Sequence, residues 1–228
     1  SDKGGAIGLL TTTRLVYSDP NYNLNKKFIN NLFEKENNNF LTIGEIFKNT
    51  KRQSGTNLNN RNFTLLGDPA LKLAYPYYSV ETLEHPDTLK ALSEVTIFGK
   101  IVDDQGLLID NFNGIIYPTI FDKEIIKTTL GQESCIPMPY RDQNNIIYKG
   151  EASVENGYFS FTFVTPKDIS YNYGSGKISY YAFDDSQNID ANGSNIEFLI
   201  GGISENVDYD YDGPEISLYM NSRQFVDG

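Results

Sequence analysis

The sequence of 228 residues predicts a mixed fold, in which the C-terminal edge of an α/β domain precedes an all-β sandwich. Before about residue 76, apolar residues recur at helical spacing between short apolar runs that suit buried strands. After that point the spacing changes to every second residue, which is typical of half-buried strands. We therefore predict domains at residues 1–76 and 77–205, followed at 206–228 by a linker and the first strand of a further β domain.

The first domain begins with an apolar run at residues 6–10. The run is continuous, not alternating, and so predicts an inner strand of a parallel sheet, covered on both faces. Apolar residues at helical spacing then predict a helix over residues 23–36. A second helix is expected from Thr42, because Glu45 three residues later completes the pattern of a capping box. The stretch FTLLGDPALKLAYP predicts a short strand that ends in a turn at residues 67–69.

About seven short strand candidates follow, the number expected for a sandwich of immunoglobulin or fibronectin III type. Asn156-Gly157 is a strong hairpin signal, since both residues readily take the positive φ angles of a type I′ turn. The segment DDSQNIDANGSN is interpreted as a surface loop, with a cation site as the alternative. The predicted strands are residues 95–101, 113–121, 124–129, 145–154, 158–165, 177–184 and 195–200.

Composition excludes several classes of function. The net charge of −11 argues against a nucleic-acid partner, because phosphate contacts need clustered Lys and Arg. No apolar run approaches the length of a membrane-spanning helix. The single cysteine, Cys135, excludes an internal disulfide and a zinc site built from several thiolates.

Four stretches together carry a resemblance to a known family: GGAIGLLTTTRLVYSDPNYNLNKKF, TIGEIFKNTK, RNFTLLGDPALKLAYP and GKISYYAFDD. They resemble the C-terminal part of the gingipain family of cysteine peptidases, and within it the sortases of type IX secretion. The Leu-Gly-Asp-Pro-Ala-Leu turn is shared across the wider family, whereas the Thr-Thr-Thr-Arg strand end and the β-rich region point to the sortases. The resemblance implies a caspase-like α/β domain followed by an immunoglobulin-like domain.

The resemblance also implies a function for the parent protein. It would remove the C-terminal signal of type IX secreted cargo and attach the cargo to lipopolysaccharide, at the cell surface and associated with the outer membrane. Its partners would be cargo proteins and other secretion components. No position of this chain matches the family's catalytic His or Cys, so the chain would supply scaffold and β-domain and be inactive alone. The alternative function is an extracellular β-sandwich that binds or adheres.

Thr12, Thr13 and Arg14 are the candidate site residues. In open α/β sheets, ligands gather beyond the carboxyl ends of the strands, and in the complete enzyme these residues would border the substrate cleft. A structural interpretation has equal support: the Thr hydroxyls satisfy backbone groups, and Arg14 pairs with a local acid such as Asp19. Both interpretations stay open at this point.

No catalytic role is predicted for the single histidine, His85, or for Cys135. A nucleophilic Cys needs a base within hydrogen-bond reach and surroundings that lower its pKa. The sequence supplies no third group to orient such a pair. We interpret His85 as a surface residue of an interdomain stretch, LEHPDTL, and Cys135 as an inert thiol in a loop of the sandwich.

The acidic run near the C-terminus raises the question of a metal. Asp208, Asp210 and Asp212 are candidate Ca²⁺ ligands, because alternating carboxylates can offer several oxygens to a hard cation. A solvated acidic linker is the preferred interpretation, since the twelfth position of an EF-hand loop would be Tyr219 and not Glu. No other cofactor is expected. An exposed inner strand pairs readily, so we also expect either a rearranged N-terminal region or a homo-oligomer formed through that strand.

Overall fold

The computed structural model describes residues 5–37 and 39–205. The chain divides between Tyr75 and Pro76 into two compact units. It is mostly β, with few helices. None of the helices in these ranges is long and apolar enough to cross a membrane. The candidate Ca²⁺ ligands Asp208, Asp210 and Asp212, and the predicted linker at 206–228, lie outside the described residues.

The first unit places helices against one face of a two-stranded antiparallel sheet formed by the strands Gly8–Thr12 and Phe63–Gly67. The inward side chains of the two strands, Leu10 and Leu65, pack on a small core of Leu24, Phe47 and Phe63. Its elements in chain order are β1 (Gly8–Thr12), α1 (Ser18–Asn31), β2 (Lys35–Glu36), β3 (Asn39–Phe40), α2 (Ile43–Gln53), α3 (Leu58–Asn62) and β4 (Phe63–Gly67).

Strand β1 differs from the expected inner parallel strand at residues 6–10. It pairs with β4 in antiparallel register, so that Leu9 lies opposite Leu66. These two side chains are 54% and 55% exposed. Because successive side chains of a strand point to opposite faces, one face meets the helices and the other remains open. The prediction of a strand buried on both faces is therefore wrong for this chain.

Helix α1 begins five residues before the predicted start and ends at Asn31, not at residue 36. Pro20 lies in the first turn, where the missing N–H removes no helical hydrogen bond. After the helix ends, Phe33 is 71% exposed and makes no contribution to the predicted apolar face. The sequence pattern located this helix but misplaced both of its boundaries.

Helix α2 begins as predicted. The Thr42 hydroxyl accepts a hydrogen bond from the Glu45 N–H at 3.3 Å, and the Thr42 N–H donates to the Glu45 carboxylate at 2.9 Å. This reciprocal pair is the predicted capping box. The hydrogen bond from the Thr42 backbone, followed by that from its hydroxyl, lowers the pKa of Glu45.

The second unit consists of β-strands over its described residues. Its longest strands alternate between buried and exposed side chains; in the strand at Tyr158–Val164 every second residue is buried. The strands are β5 (Tyr78–Glu84), β6 (Thr88–Ala91), β7 (Glu94–Val102), β8 (Gly114–Phe121), β9 (Ile125–Thr128), β10 (Pro139–Asp142), β11 (Ile146–Lys149), β12 (Ala152–Glu155), β13 (Tyr158–Val164), β14 (Gly174–Ser175), β15 (Lys177–Asp184), β16 (Ile189–Asn195) and β17 (Leu199–Ile203).

Seven of these strands form a barrel-like sheet. They pair in the order β8, β12, β13, β7, β5, β16 and β15, and β15 pairs again with β8 to close the circuit. All of these pairings are antiparallel except that of β16 with β5. Strand β11 also pairs with β8, on the same side as β12. Strands β9 and β10 form a separate hairpin. Strands β14, β17 and β6 form a small third sheet. The inward side chains share one core, which includes Val95, Ile97, Ile101, Phe112, Ile116, Ile120, Phe161, Ile178 and Ala182.

Several strand boundaries differ from the sequence predictions. The predicted strand at 145–154 is two strands, β11 and β12, and between them the Gly150 N–H donates to the Pro118 carbonyl. The predicted strand at 195–200 and the predicted loop before it are replaced by β16 and β17. Gly193 explains part of this result, because β5 approaches so closely at Val80 that any Cβ would clash there. Pairing on both sides of β16 overrides the weak strand preference of Asp, Asn and Gly.

Candidate functional site

The candidate site lies where β1 ends. Thr12 is the last residue of the strand and lies opposite Phe63 of β4. The Thr13 N–H donates to the Asn62 carbonyl at 2.9 Å, and the Thr13 hydroxyl approaches the same oxygen at 3.2 Å. Two hydrogen bonds to one carbonyl hold the backbone at this strand end in a defined position.

Helix α3 supplies that carbonyl and is itself anchored. The Asn57 side chain caps the helix by accepting from the Asn60 N–H at 2.8 Å. Asn60 is 7% exposed, and its amide donates to the carbonyl of Lys51 at 2.8 Å and to that of Gly55. Four residues after Thr13, the Tyr17 N–H donates to the Asn59 side chain at 3.1 Å. The segment from Thr13 to Tyr17 is therefore tied to α3 at both ends.

Arg14 lies in the middle of this anchored segment, and its side chain is exposed. Within the described ranges it forms no ion pair, either with Asp19 or with another acid. A guanidinium group offers five N–H donors in a fixed plane, suited to carboxylate and carbonyl oxygens. The site can therefore present a cationic donor from a rigid backbone. Thr12, Thr13 and Arg14 are adjacent here, whereas the expected local partner of Arg14 is not in contact.

His85 and Cys135 both belong to the second unit and lie in different loops. His85 follows β5 directly, so the stretch LEHPDTL joins two strands of one unit and is not interdomain as predicted. Its Nδ1 lies 3.0 Å from the Pro86 carbonyl oxygen, and its ring meets the Phe198 ring edge-on at 5.9 Å. Cys135 is exposed in the loop between β9 and β10. No hydrogen bond joins the two side chains in the part of the chain that the structure describes.

The acidic segment after β15 is organised around Asp184, which is fully buried. Its carboxylate accepts from the Ser186 hydroxyl at 2.6 Å and from the Gln187 side chain at 2.9 Å. Burial acts to raise the pKa of Asp184, but hydrogen bonds from Ser186, the Asn113 N–H and Gln187 outweigh it and lower the pKa to about 2. Donors therefore occupy the oxygens that a cation would need. Over residues 5–37 and 39–205, no group of three or more His, Cys, Asp or Glu could hold a metal ion.

Sequence reasoning missed one feature of the second unit. A groove of about 740 Å³ crosses the outward side of β12, β13, β7 and β5, and Phe98 and Tyr158 line it. Alternating aromatic residues in strands are more often core residues, and Phe98 and Tyr158 are interpreted in that way from the sequence. The signal was available in the alternation itself, because Phe98 and Tyr158 occupy the phase opposite to the buried residues of their strands.

Comparisons with known proteins connect this geometry to a family. The family model of peptidase family C25 matches residues 1–74. The crystal structure of dimeric latent PorU from Porphyromonas gingivalis is 29% identical over 86% of this chain, with a TM-score of 0.58. The match covers 20% of that protein's chain, so the present chain corresponds to about one fifth of its length.

Two further solved structures share less with the chain. The sporulation control protein Spo0M from Bacillus subtilis is 14% identical, with 56% of this chain and 51% of that chain covered and a TM-score of 0.35. The superoxide reductase from Ignicoccus hospitalis is 11% identical, with 54% and 80% covered and a TM-score of 0.26. Both TM-scores are too low to support an argument about function. No curated protein matches the chain.

Proposed function

We propose that this chain, which is similar to PorU, is a member of the gingipain family of cysteine peptidases and that its parent protein is a cell-surface sortase of type IX secretion. The parent would remove the C-terminal signal of secreted cargo and join the new carboxyl end to lipopolysaccharide. One observation carries the proposal. The similarity to PorU covers 86% of the chain and so includes both compact units, whereas the family model matches residues 1–74 alone.

The proposed reaction is an acyl transfer in two steps. A cysteine thiolate attacks the carbonyl carbon before the signal, the peptide C–N bond breaks, and the signal leaves as an amine protonated by the catalytic histidine. An amine of the acceptor then attacks the thioester, forms a new amide and releases the thiol. Neither catalytic residue has a counterpart in this chain. Its contribution in the proposal is the anchored strand end at Thr12, Thr13 and Arg14, which borders the substrate cleft.

Arg14 provides the test of that contribution. In the full-length protein, Arg14→Ala should lower kcat/KM for cleavage of the cargo signal about tenfold, because a charge-assisted hydrogen bond to substrate is lost. Arg52→Ala, which removes another exposed arginine of the same unit, is the matched control and should leave the rate unchanged. Mass spectrometry of cargo would measure the uncleaved fraction. Equal cleavage by both variants would remove Arg14 from the substrate site.

The isolated chain should be inactive as a peptidase. Incubated with a peptide that spans the junction between cargo and signal, it should release no product, and Cys135→Ser should change nothing. Product release that Cys135→Ser abolishes would contradict the proposal. The coding sequence upstream of Ser1 gives a second test, because the proposal requires that it encode the catalytic His and Cys. If the upstream sequence encodes neither residue, the alternative function as a binding or adhesion module is favoured.

We also propose that the two units are a caspase-like edge and an immunoglobulin-like domain. The helices packed against one face of the β1–β4 pair support the first assignment. The strand order supports the second, since β12, β13, β7 and β5 correspond to strands D, E, B and A, and β8, β15 and β16 to C, F and G. An immunoglobulin-like domain has two separate sheets. Here the pairing of β8 with β12 and of β5 with β16 joins the two sheets.

A homo-oligomer through the N-terminal strand remains part of the proposal. Leu9 and Leu66 expose an apolar face of the β1–β4 pair, and an open strand edge favours pairing with a second copy. The similar PorU structure is described as dimeric. Size-exclusion chromatography with light scattering should therefore detect a dimer of this chain. A monomer whose β1 amides are protected in hydrogen exchange would count against this interface.

A further inference from the structure

The groove on the second unit has the dimensions of a ligand site. Its volume of about 740 Å³ falls within the range usual for small-molecule pockets. Strand register places Phe98 of β7 between Ser160 of β13 and Glu84 of β5. Phe98 and Tyr158 are 43% and 49% exposed, so two aromatic side chains stand open to solvent along one groove.

The polar side chains that line the groove have no partners among the residues that the structure describes. Across the described part of the chain, none of them takes part in a hydrogen bond or an ion pair. This contrasts with Asp184 in the same unit, whose carboxylate is fully hydrogen-bonded. The unpartnered side chains are those of Glu84, Ser153, Glu155, Asn156, Tyr158 and Ser160.

The chemistry of this set selects one kind of ligand. Ser, Tyr and Asn side chains both donate and accept hydrogen bonds, whereas the two carboxylates only accept. A hydroxyl group also donates and accepts, and a pyranose ring adds an apolar C–H face that suits an aromatic side chain. Among the described residues no Lys or Arg lines the groove, so none of them favours an anionic ligand. We propose that the groove formed by Phe98, Tyr158 and their polar neighbours binds a neutral oligosaccharide.

The groove is also held in place before any ligand arrives. Asn156 and Gly157 form the tight turn between β12 and β13, with φ angles of 51° and 78°. The Asn156 N–H donates to the Asn113 side chain and the Gly157 N–H to the Phe112 carbonyl, each at 2.9 Å. The turn carrying Glu155 and Tyr158 is therefore fixed to the loop before β8. Such preorganisation lowers the entropic cost of binding.

The test uses the 228-residue chain, first on an array of neutral and acidic glycans and then in nuclear magnetic resonance titrations. The probes are cellohexaose, maltohexaose, chitohexaose, the strongest neutral glycan of the array, and hexalysine. Binding of a neutral oligosaccharide should shift the amide signals of Phe98, Tyr158 and Ser160 in a saturable manner. Tyr158→Ala and Glu155→Gln should each weaken that binding about tenfold or more.

Tyr117→Ala and Tyr181→Ala are the matched controls. These tyrosines are 41% and 46% exposed, but they lie on β8 and β15, outside the groove. Both variants should bind as the parent chain does, and dispersed spectra of all four variants would show that they remain folded. Three outcomes would overturn the proposal: no binding of any neutral glycan, binding that survives both groove substitutions, or shifts of the groove signals by hexalysine alone. The last would assign the groove to basic peptides. The proposal concerns the second unit alone and does not depend on the sortase role.

Discussion

The Asn113 N–H donates a hydrogen bond of 2.9 Å to Oδ2 of Asp184, which joins the residue before β8 to the last residue of β15 across 71 positions of sequence. Asp184 is fully buried. Its other hydrogen bonds come from the N–H and hydroxyl of Ser186 and from the N–H and side chain of Gln187. One carboxylate therefore holds two adjacent strands and the turn between β15 and β16 in register.

Replacement of this carboxylate should destabilise the second unit. Asp184→Asn keeps the shape but turns an amide group toward hydrogen-bond donors, so we expect the free energy of unfolding at neutral pH to fall by about 2 kcal/mol. Urea denaturation followed by tyrosine fluorescence would measure it. Asp185→Asn, at the exposed neighbouring position, is the control and should change stability little.

The same residue should make stability depend on pH. The pKa of Asp184 is lowered to about 2 from an ordinary value of 3.8, so folding favours the charged form. Its contribution is therefore present above pH 3.8 and is lost as the pH falls through about 2. The difference in unfolding free energy between the parent chain and Asp184→Asn should narrow over that interval. A difference that stays constant down to the lower pH would contradict the lowered pKa.

Asn31 should be important for the first unit. It is 5% exposed, and its side chain donates to the Thr50 hydroxyl at 3.0 Å and exchanges two hydrogen bonds with Gln53 at 3.1 Å. Asn31→Ala would remove the hydrogen bond to the buried Thr50 hydroxyl and both hydrogen bonds to the exposed Gln53, and should cost about 2 kcal/mol. Far-ultraviolet circular dichroism isolates the effect, because all three helices of the described chain lie in the first unit. The exposed neighbour Asn30, changed to Ala, should have a much smaller effect.

Substitution of two glycines would measure the cost of backbone strain separately from the cost of steric crowding. Gly106 and Gly157 have nearly equal φ angles, 79° and 78°, but a Cβ at Gly106 would meet nothing within 4 Å, whereas one at Gly157 would press on the Ile109 carbonyl. Gly106→Ala should therefore cost about 1 kcal/mol for the left-handed conformation. Gly157→Ala adds the crowding and should cost about 3 kcal/mol. Equal melting temperatures for the two variants would show that the turn relaxes without strain.

The capping box of α2 offers a smaller, local test. Thr42→Ala removes the hydroxyl that accepts from the Glu45 N–H and should destabilise the first unit by about 1 kcal/mol. Thr42→Ser retains the hydroxyl and should remain close to the parent chain. Thermal unfolding followed by the helical circular dichroism signal would compare them. If the serine variant lost as much stability as the alanine variant, the methyl group and not the cap would be responsible.

Local sequence signals located many elements correctly. The Thr42 and Glu45 pair marks the start of α2, and Asn156-Gly157 marks the hairpin between β12 and β13. The alternation at residues 95–101 gives the buried face of β7. Each of these features depends on residues close together in sequence, where capping, turn conformation and side-chain period act directly.

Features that depend on distant partners were not predictable in this way. Strand β16 is made of residues typical of loops, yet β15 and β5 supply hydrogen bonds on both of its sides. The local pattern also left open whether Arg14 pairs with Asp19, and the described residues contain no ion pair between them. The groove at Phe98 and Tyr158 arises only when β5, β7, β12 and β13 lie side by side.

The sequence by itself determined where the chain changes from helical to strand periodicity, which helix is capped and which turn is a tight hairpin. It also carried the family resemblance, since that depends on residue identities in order. Only the tertiary structure decided the direction and exposure of β1, the strand identity of β16, the burial of Asp184 and the position of the groove. The reason is physical: burial and strand pairing are set by neighbours that are distant in sequence, and a local pattern contains no information about which neighbour will be there.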